Sequence, residues 1–182
     1  MSSPLAILDR DGVINFDSDA FIKSPDEWLP IPGSLEAIAR LHQAGWRVVV
    51  ASNQSGIGRG LMDEDALEAI HRRMEQAVAA AGGHFDGIFY CPHHPDEGCK
   101  CRKPLPGLLK AIATHFDMSL QHVPVIGDSA RDLEAADAAG ADPVLVLTGN
   151  GEKTRDGLPD DSVVPVYADL SAAVDGLLAA DQ

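Results

Sequence analysis

The chain has 182 residues, 45% of them apolar and 23% charged, a balance that suits a folded globular chain and excludes the disordered, collagen-like and fibrous classes. Its 14 basic against 28 acidic residues leave a net charge of −14, a field that repels polyanions and argues against nucleic acid as a partner. No stretch reaches the roughly 18 apolar residues of a membrane span, and Met1-Ser2-Ser3-Pro4 has neither the basic patch nor the long apolar run of a signal peptide, so the expectation is a cytoplasmic protein with no membrane partner.

Leu5-Ala6-Ile7-Leu8 predicts a short buried strand. Gly33-Ser34 opens a helix whose Leu35, Ile38, Ala39 and Leu41 share a face, and Gly45 ends it. Trp46 to Ala51, with three successive valines, predicts the second strand. Asp63 opens a long helix with Leu67, Ile70, Met74 and Val78 on its apolar stripe, closed by Gly82-Gly83. Ile88-Phe89-Tyr90 is a third strand, followed by a polar loop to about residue 103 and a helix from near Pro106 carrying Leu108, Leu109, Ile112 and Phe116. Val123 to Ile126 predicts a fourth strand, Ser129 caps a helix running to Ala139, and Pro143 to Leu147 is a fifth strand. From Thr148 the pattern weakens: an exposed turn, a strand at Val163 to Val166 and a closing helix from Ser171 to Ala180. Strands alternating with amphipathic helices predict an α/β fold, a parallel sheet covered by helices. No repeat or linker divides residues 1–182, which read as one domain.

The only three cysteines, Cys91, Cys99 and Cys101, fall in one short window. An odd number, clustered, in a chain without an export signal argues for a metal site over a disulfide framework. Cys91-Pro92-His93 and Cys99-Lys100-Cys101 supply three thiolates and an imidazole, from His93 or His94, which is the donor set of a closed structural zinc site. Such a site would order a polar loop, about residues 91–103, that has few apolar residues to bury.

Asp9-Arg10-Asp11-Gly12 follows the first strand at once, and alternation along extended chain would put both carboxylates on one side. Taken alone this is also an ordinary Asp-Gly turn. The other strand ends carry polar groups too: Ser52-Asn53-Gln54, Arg102-Lys103, and Gly127-Asp128-Ser129 with Asp132. Ligands of open α/β sheets bind at the carboxyl ends of strands. A carboxylate pair, a hydroxyl and cations gathered there suit phosphoryl transfer, which depends on positioning and charge neutralisation. A Walker A sequence is absent, so a P-loop enzyme is not supported.

Asp9-x-Asp11, Ser52, Lys103 and Gly127-Asp128 with Asp132 resemble the four motifs of the haloacid dehalogenase (HAD) superfamily. The resemblance implies a three-layer α/β/α Rossmann-like fold with a central parallel sheet and, at this length, no large cap domain. It implies that Asp9 is the nucleophile that becomes an aspartyl-phosphate, and that Asp11 acts first as acid and then as base. Mg2+ would be held by Asp9, the backbone carbonyl of Asp11, and Asp128. Ser52 would donate to the phosphoryl oxygens, and Lys103 would hold both the phosphate and Asp9.

Within that superfamily, Leu8 to Asn15, Ser52 to Gly60, Tyr90 to Pro95 and Cys99 to Pro104 resemble the heptose 1,7-bisphosphate phosphatases, a similarity that runs from about Leu5 to Gly149. It implies Zn2+ on Cys91, His93, Cys99 and Cys101, a small phosphorylated sugar as substrate, and removal of the 7-phosphate on the way to nucleotide-heptose and lipopolysaccharide core precursors. Substrate contacts would come from Asp9, Arg10, Asp11, Asp17, Ser52, Asn53, Gln54, Ser55, Arg102 and Lys103, with Arg59 as a further cation toward the distal phosphate. One departure is Ser129, where the family often has a basic residue; Arg131 is the replacement at hand. The histidinol-phosphate phosphatases share the zinc loop and give the alternative substrate. A catalytically silent, zinc-stabilised binding module is the alternative of another class, which retention of both Asp9 and Asp11 disfavours. A monomer is the default expectation.

Overall fold

The apolar runs form a parallel sheet between two helical layers in a computed structural model that describes residues 3–181. Met1 and Ser2 of the expected start, and Gln182 at the far end of the expected 1–182 domain, lie outside the described residues. The strands are β1 (Leu5–Leu8), β2 (Arg47–Asn53), β3 (Gly87–Cys91), β4 (Pro124–Gly127), β5 (Asp142–Val146) and β6 (Val166–Tyr167). They pair in the order β3-β2-β1-β4-β5-β6, and every pairing is parallel. The helices are α1 (Ser34–Gln43), α2 (Glu64–Ala80), α3 (Gly107–His115), α4 (Ala130–Ala139), α5 (Gly151–Asp156) and α6 (Leu170–Ala180).

Alternation along each strand sends side chains to opposite faces. Ala6, Leu8, Val48 and Val50 pack against Ile38 and Leu41 of α1, Ile70 and Met74 of α2, and Leu170 and Val174 of α6. Leu5, Ile7, Val49 and Ala51 pack against Leu108, Leu109 and Ile112 of α3 and Ala135 and Ala136 of α4. Both faces are therefore covered, which is why β1 and β4 are buried at every residue. Each fully buried Leu, Ile or Val contributes about 1.5–3 kcal/mol relative to exposure.

The expected helix starts hold: the Asp63 side chain accepts from Ala66 N (2.8 Å) at the head of α2, and Ser129 and Asp132 form a capping box on α4. The tail is where expectation and structure part. α5 was not expected, because its sequence Gly-Glu-Lys-Thr-Arg-Asp has no apolar stripe; a tertiary contact, Thr154 Oγ1 donating to Asp128 O (2.8 Å), ties it down. The strand expected at Val163 to Val166 is instead β6, at Val166–Tyr167. Val163 is 93% exposed, and Pro165 has no N–H to pair, so it only accepts, from Leu145 N at 2.9 Å.

The strand order reverses between β1 and β4, the point at which open α/β sheets bind ligands. Asp9 and Asp128 each follow one of these two strands directly. Between β1 and α1 the chain carries only a 3-10 turn at Pro25–Glu27 and isolated bridges that join Asn15 to Asp11 and Pro30. No helix among the described residues is long and apolar enough to cross a membrane.

Candidate active site

Parallel strands about 4.8 Å apart end side by side, and their next residues line a cavity of about 290 Å³ whose wall includes Asp9, Asp11, Lys103, Asp128 and Arg102. One oxygen each of Asp9, Asp128 and Asp132 lie within 4.8 Å of one another. Lys103 is the one cation inside this group: its Nζ donates to Asp9 Oδ1 (3.0 Å), Asp132 Oδ1 (2.6 Å) and Ala51 O (2.8 Å). Two charges about 4 Å apart interact by about 4 kcal/mol at an effective dielectric constant of 20, so one lysine leaves three carboxylates undercompensated.

The acidities record that imbalance. Burial first, then repulsion from Asp132, Asp128 and Asp11, pushes Asp9 well above the usual carboxylate range, with Lys103 opposing. Burial and the neighbouring Asp132 and Asp17 carry Asp128 up to about 6 against a hydrogen bond from Asn150. Burial also disfavours the charge on Lys103, but Asp132 and Asp9 outweigh it and raise its pKa.

Each member is held by specific partners. Asp132 Oδ2 accepts from Asp128 N (3.2 Å), Ser129 N (3.1 Å) and Ser129 Oγ (2.9 Å), so with Lys103 on Oδ1 its carboxylate is fully engaged. Asn150 occupies Asp128 Oδ2 through its backbone N (2.9 Å) and Nδ2 (3.4 Å). Gly12 has φ +86°, and a Cβ there would collide with the Asp128 carboxylate, so only glycine lets the turn after Asp9 close against β4. Asn53 clasps Lys103 at two points, Nδ2 donating to Lys103 O (3.1 Å) and Oδ1 accepting from Lys103 N (3.0 Å). That clasp fixes the end of the cysteine loop against β2.

Asp9 and Asp11 both line the cavity, but extended-chain alternation does not describe them. The chain turns at Arg10, whose carbonyl accepts from Ile14 N (2.8 Å) and Asn15 N (3.2 Å). Asp11 is drawn out of the Asp9 cluster: Oδ1 accepts from Arg10 Nε (3.0 Å) and Asn15 Nδ2 (2.9 Å), and Oδ2 from Gln54 Nε2 (3.1 Å). Burial opposes ionisation of Asp11, yet the charge of Arg10 and these donors outweigh it and hold its pKa below the ordinary value.

Asp17, Asn53, Gln54, Ser55, Arg59 and Arg131 are also on the cavity wall. Arg59 is oriented by Ser55 Oγ, which accepts from its Nε (3.1 Å), and by the Phe21 ring 5.4 Å from its guanidinium. Arg102 is held below its ordinary pKa by burial and by Arg131 and Arg59, and its Nη1 has no partner among the described residues. Arg59, Arg102 and Arg131 thus line the same cavity as the carboxylates. Two expected contact residues stand apart from the wall. Arg10 and Ser52 are 0% exposed; Ser52 Oγ accepts from Gln54 Nε2 (2.7 Å), and the Arg10 side chain turns to Asp11 and His71. Sequence reading missed Asn15, His71, Asn150 and Thr154. Of these only His71 left a signal, an imidazole on the otherwise apolar stripe of α2.

Cys91, His93 and Cys101 place one donor atom each within 4.8 Å of one another, and Cys99 Sγ lies 3.6 Å from Cys91 Sγ. The edge of a tetrahedron with metal–sulfur bonds of about 2.3 Å is about 3.8 Å; the Cys91–Cys99 spacing matches it, whereas Cys101 Sγ, 2.7 Å from Cys91 Sγ, lies closer than that edge. All three cysteines are free. Burial and the neighbouring Cys91 and Cys99 push Cys101 up to about 12. His93 Nδ1 is 2.8 Å from Glu97 Oε2, the carboxylate contact that orients metal-ligating histidines, whereas His94 Nδ1 caps the Pro95–Glu97 turn by accepting from Asp96 N (3.1 Å). The donor set fits zinc and favours His93.

A wider groove of about 1290 Å³ runs between α4 and residues 157–165. Its wall contains none of Asp9, Asp11 and Lys103, and we assign it no chemistry.

A family model described as HAD-hydrolase-like matches residues 100–173. The chain is 58% identical over 176 residues to the D-glycero-beta-D-manno-heptose-1,7-bisphosphate 7-phosphatase of Bordetella bronchiseptica, covering 96% of this chain and 97% of that protein. It is 57% identical to the protein of the same name from Pseudomonas putida, over 92% of this chain and 95% of the relative. The crystal structure of D,D-heptose 1,7-bisphosphate phosphatase from B. bronchiseptica, complexed with magnesium and phosphate, superimposes with a TM-score of 0.93 at 57% identity, over 97% of this chain and 99% of the other. Identity at this level across nearly the whole length, on a fold whose switch point carries a buried carboxylate cluster and a lysine, places the chain in the D-glycero-beta-D-manno-heptose-1,7-bisphosphate 7-phosphatase family of HAD-like hydrolases.

Proposed function

We propose that the protein hydrolyses the 7-phosphate of D-glycero-beta-D-manno-heptose 1,7-bisphosphate, with Mg2+ at the carboxylate cluster and Zn2+ in the cysteine loop. The observation that carries this reading is the cluster itself: Asp9, Asp128 and Asp132 share one lysine at the switch point, in a cavity also lined by arginines suited to a second phosphate. Asp9 and Asp128 with the Asp11 carbonyl would hold Mg2+, which offsets carboxylate repulsion and polarises the phosphoryl group. Magnesium in the B. bronchiseptica relative supports this assignment.

The chain's own groups then divide the work. Asp9 attacks phosphorus, the bond to the sugar oxygen breaks, and an aspartyl-phosphate forms. Lys103 keeps Asp9 oriented and takes up charge on the transferring group. Ser52, buried behind the cavity wall, accepts from the Gln54 amide that also donates to Asp11 Oδ2, and so steadies the donor beside the acid–base group. Asp11 gives a proton to the leaving alkoxide and takes one from the water that cleaves the intermediate, so protons balance over a cycle. At rest its donors favour the carboxylate; an incoming phosphate dianion raises its pKa and lets it enter the acid form. Zinc would deprotonate Cys91, Cys99 and Cys101, order the loop, and so deliver Arg102 and Lys103 to the site.

Phosphate release with magnesium from both anomers of heptose 1,7-bisphosphate, run beside histidinol phosphate and an aryl phosphate, tests the reading. A large preference in kcat/KM for the β-heptose bisphosphate is expected. Preference for histidinol phosphate would overturn the substrate, and silence on every ester would overturn the enzyme.

A further inference from the structure

Arg10 stands between the two site carboxylates in sequence, yet it is 0% exposed and takes no part in the cavity wall. A buried guanidinium is costly unless its donors are met. Nε donates to Asp11 Oδ1 (3.0 Å), Nη1 lies 3.2 Å from His71 Nε2, and Nη2 has no partner among the described residues. His71 comes from α2, on the same stripe as Leu67, Ile70, Met74 and Val78, and its ring lies against Tyr90 with centroids 5.9 Å apart.

An arginine only donates, so its contact with His71 is a hydrogen bond when Nε2 carries no proton. Burial, and then the charge of Arg10, hold His71 down at about 3, which keeps the ring neutral. Facing a group that only donates, the neutral ring accepts at Nε2 in the tautomer that carries its proton on Nδ1. At the other end, Asp11 Oδ1 takes two donors, from Arg10 and Asn15, while Oδ2 is held only by Gln54, itself shared with Ser52. Oδ1 is the anchored oxygen and Oδ2 the one that can turn to a substrate.

We infer that His71 is a positioning residue for proton transfer: as a neutral acceptor it locks the Arg10 guanidinium, and Arg10 in turn anchors the Asp11 carboxylate through Oδ1, leaving Oδ2, held only by Gln54, to serve the leaving group. The inference rests on the acid–base role given to Asp11 above. Without His71, Nε remains the one bonded nitrogen of a buried guanidinium, which can swing and take Asp11 with it.

The test compares His71→Leu, His71→Gln and His71→Asn on the sugar bisphosphate and on 4-nitrophenyl phosphate. A sugar alkoxide needs the proton from Asp11, whereas nitrophenolate leaves without one. His71→Leu is expected to lower kcat on the sugar ester about tenfold, with KM changed by less than about twofold and a smaller loss on the aryl ester. Gln carries an acceptor to the reach of Nε2 and restores turnover to within about twofold of the wild type, while Asn falls short and stays low. Equal losses on both esters, or Gln and Asn behaving alike, would overturn the inference. If His71→Leu fails to fold, the Gln and Asn pair decides, since both keep a polar side chain there. If the wild type ignores the sugar bisphosphate but cleaves other esters, the substrate reading fails alone, and the same contrast is read with an alkyl and an aryl phosphate.

Discussion

Asp128→Asn is expected to make the magnesium-free protein more stable, by an amount that depends on pH. The Asp128 carboxyl is 2% exposed, and burial together with Asp132 and Asp17 carries its pKa from 3.8 to about 6. Below about pH 4 the group is protonated in both the folded and the unfolded protein, so it costs nothing. As pH rises from about 4 to 6 the unfolded chain releases its proton while the folded protein keeps it, and stability falls; above about 6 the whole cost is present. A pKa displaced from 3.8 to about 6 corresponds to about 3 kcal/mol. For a chain of this size that is a Tm shift of about 6–12 °C. Asn keeps the acceptor for Asn150 and removes the charge. The assay is thermal unfolding of both proteins across pH 4–8 in buffer without magnesium, and again with magnesium at saturation. The variant should match the wild type at the acid end and exceed it at the alkaline end, and magnesium should raise the wild type alone. A variant no more stable than the wild type at pH 8, or a gap that does not change with pH, would refute the reasoning.

Two further substitutions separate the two sites. Asp9→Asn should lower phosphate release by at least about 10³-fold with the fold and zinc content preserved, because the nucleophile is lost; normal turnover in that variant would remove the covalent route. Cys99→Ser should lower zinc content by metal analysis and reduce Tm, with activity falling as the Arg102-Lys103 segment loosens; a full complement of zinc would show that the ligand set is a different one.

Much of the site was legible because its residues sit where chain periodicity breaks. A buried strand that ends on Asp9, or on Gly127-Asp128, leaves a polar group at a sheet edge whatever the rest of the chain does. The cysteine loop was legible for a similar reason, since its ligands are close in sequence and no apolar pattern competes with them. The placement of Asp11 was not, because the turn made by Arg10 O with Ile14 and Asn15 replaces the extended geometry on which the alternation argument depends.

Composition, the period of the apolar residues and the caps determine by themselves that this chain makes a parallel α/β sheet and where α1 to α4 begin. These are local properties, set by backbone sterics and by which face must leave water. Tertiary structure alone decided what the strand ends do to one another: that Asp132 is spent on Lys103 and Ser129, that Asn53 clasps Lys103 across 50 residues of sequence, and that α5, with no apolar stripe of its own, comes to rest on Asp128. Charge repulsion, hydrogen-bond satisfaction and the desolvation that shifts an acidity depend on distances between segments far apart in the chain, and those distances exist only after the sheet has ordered its strands.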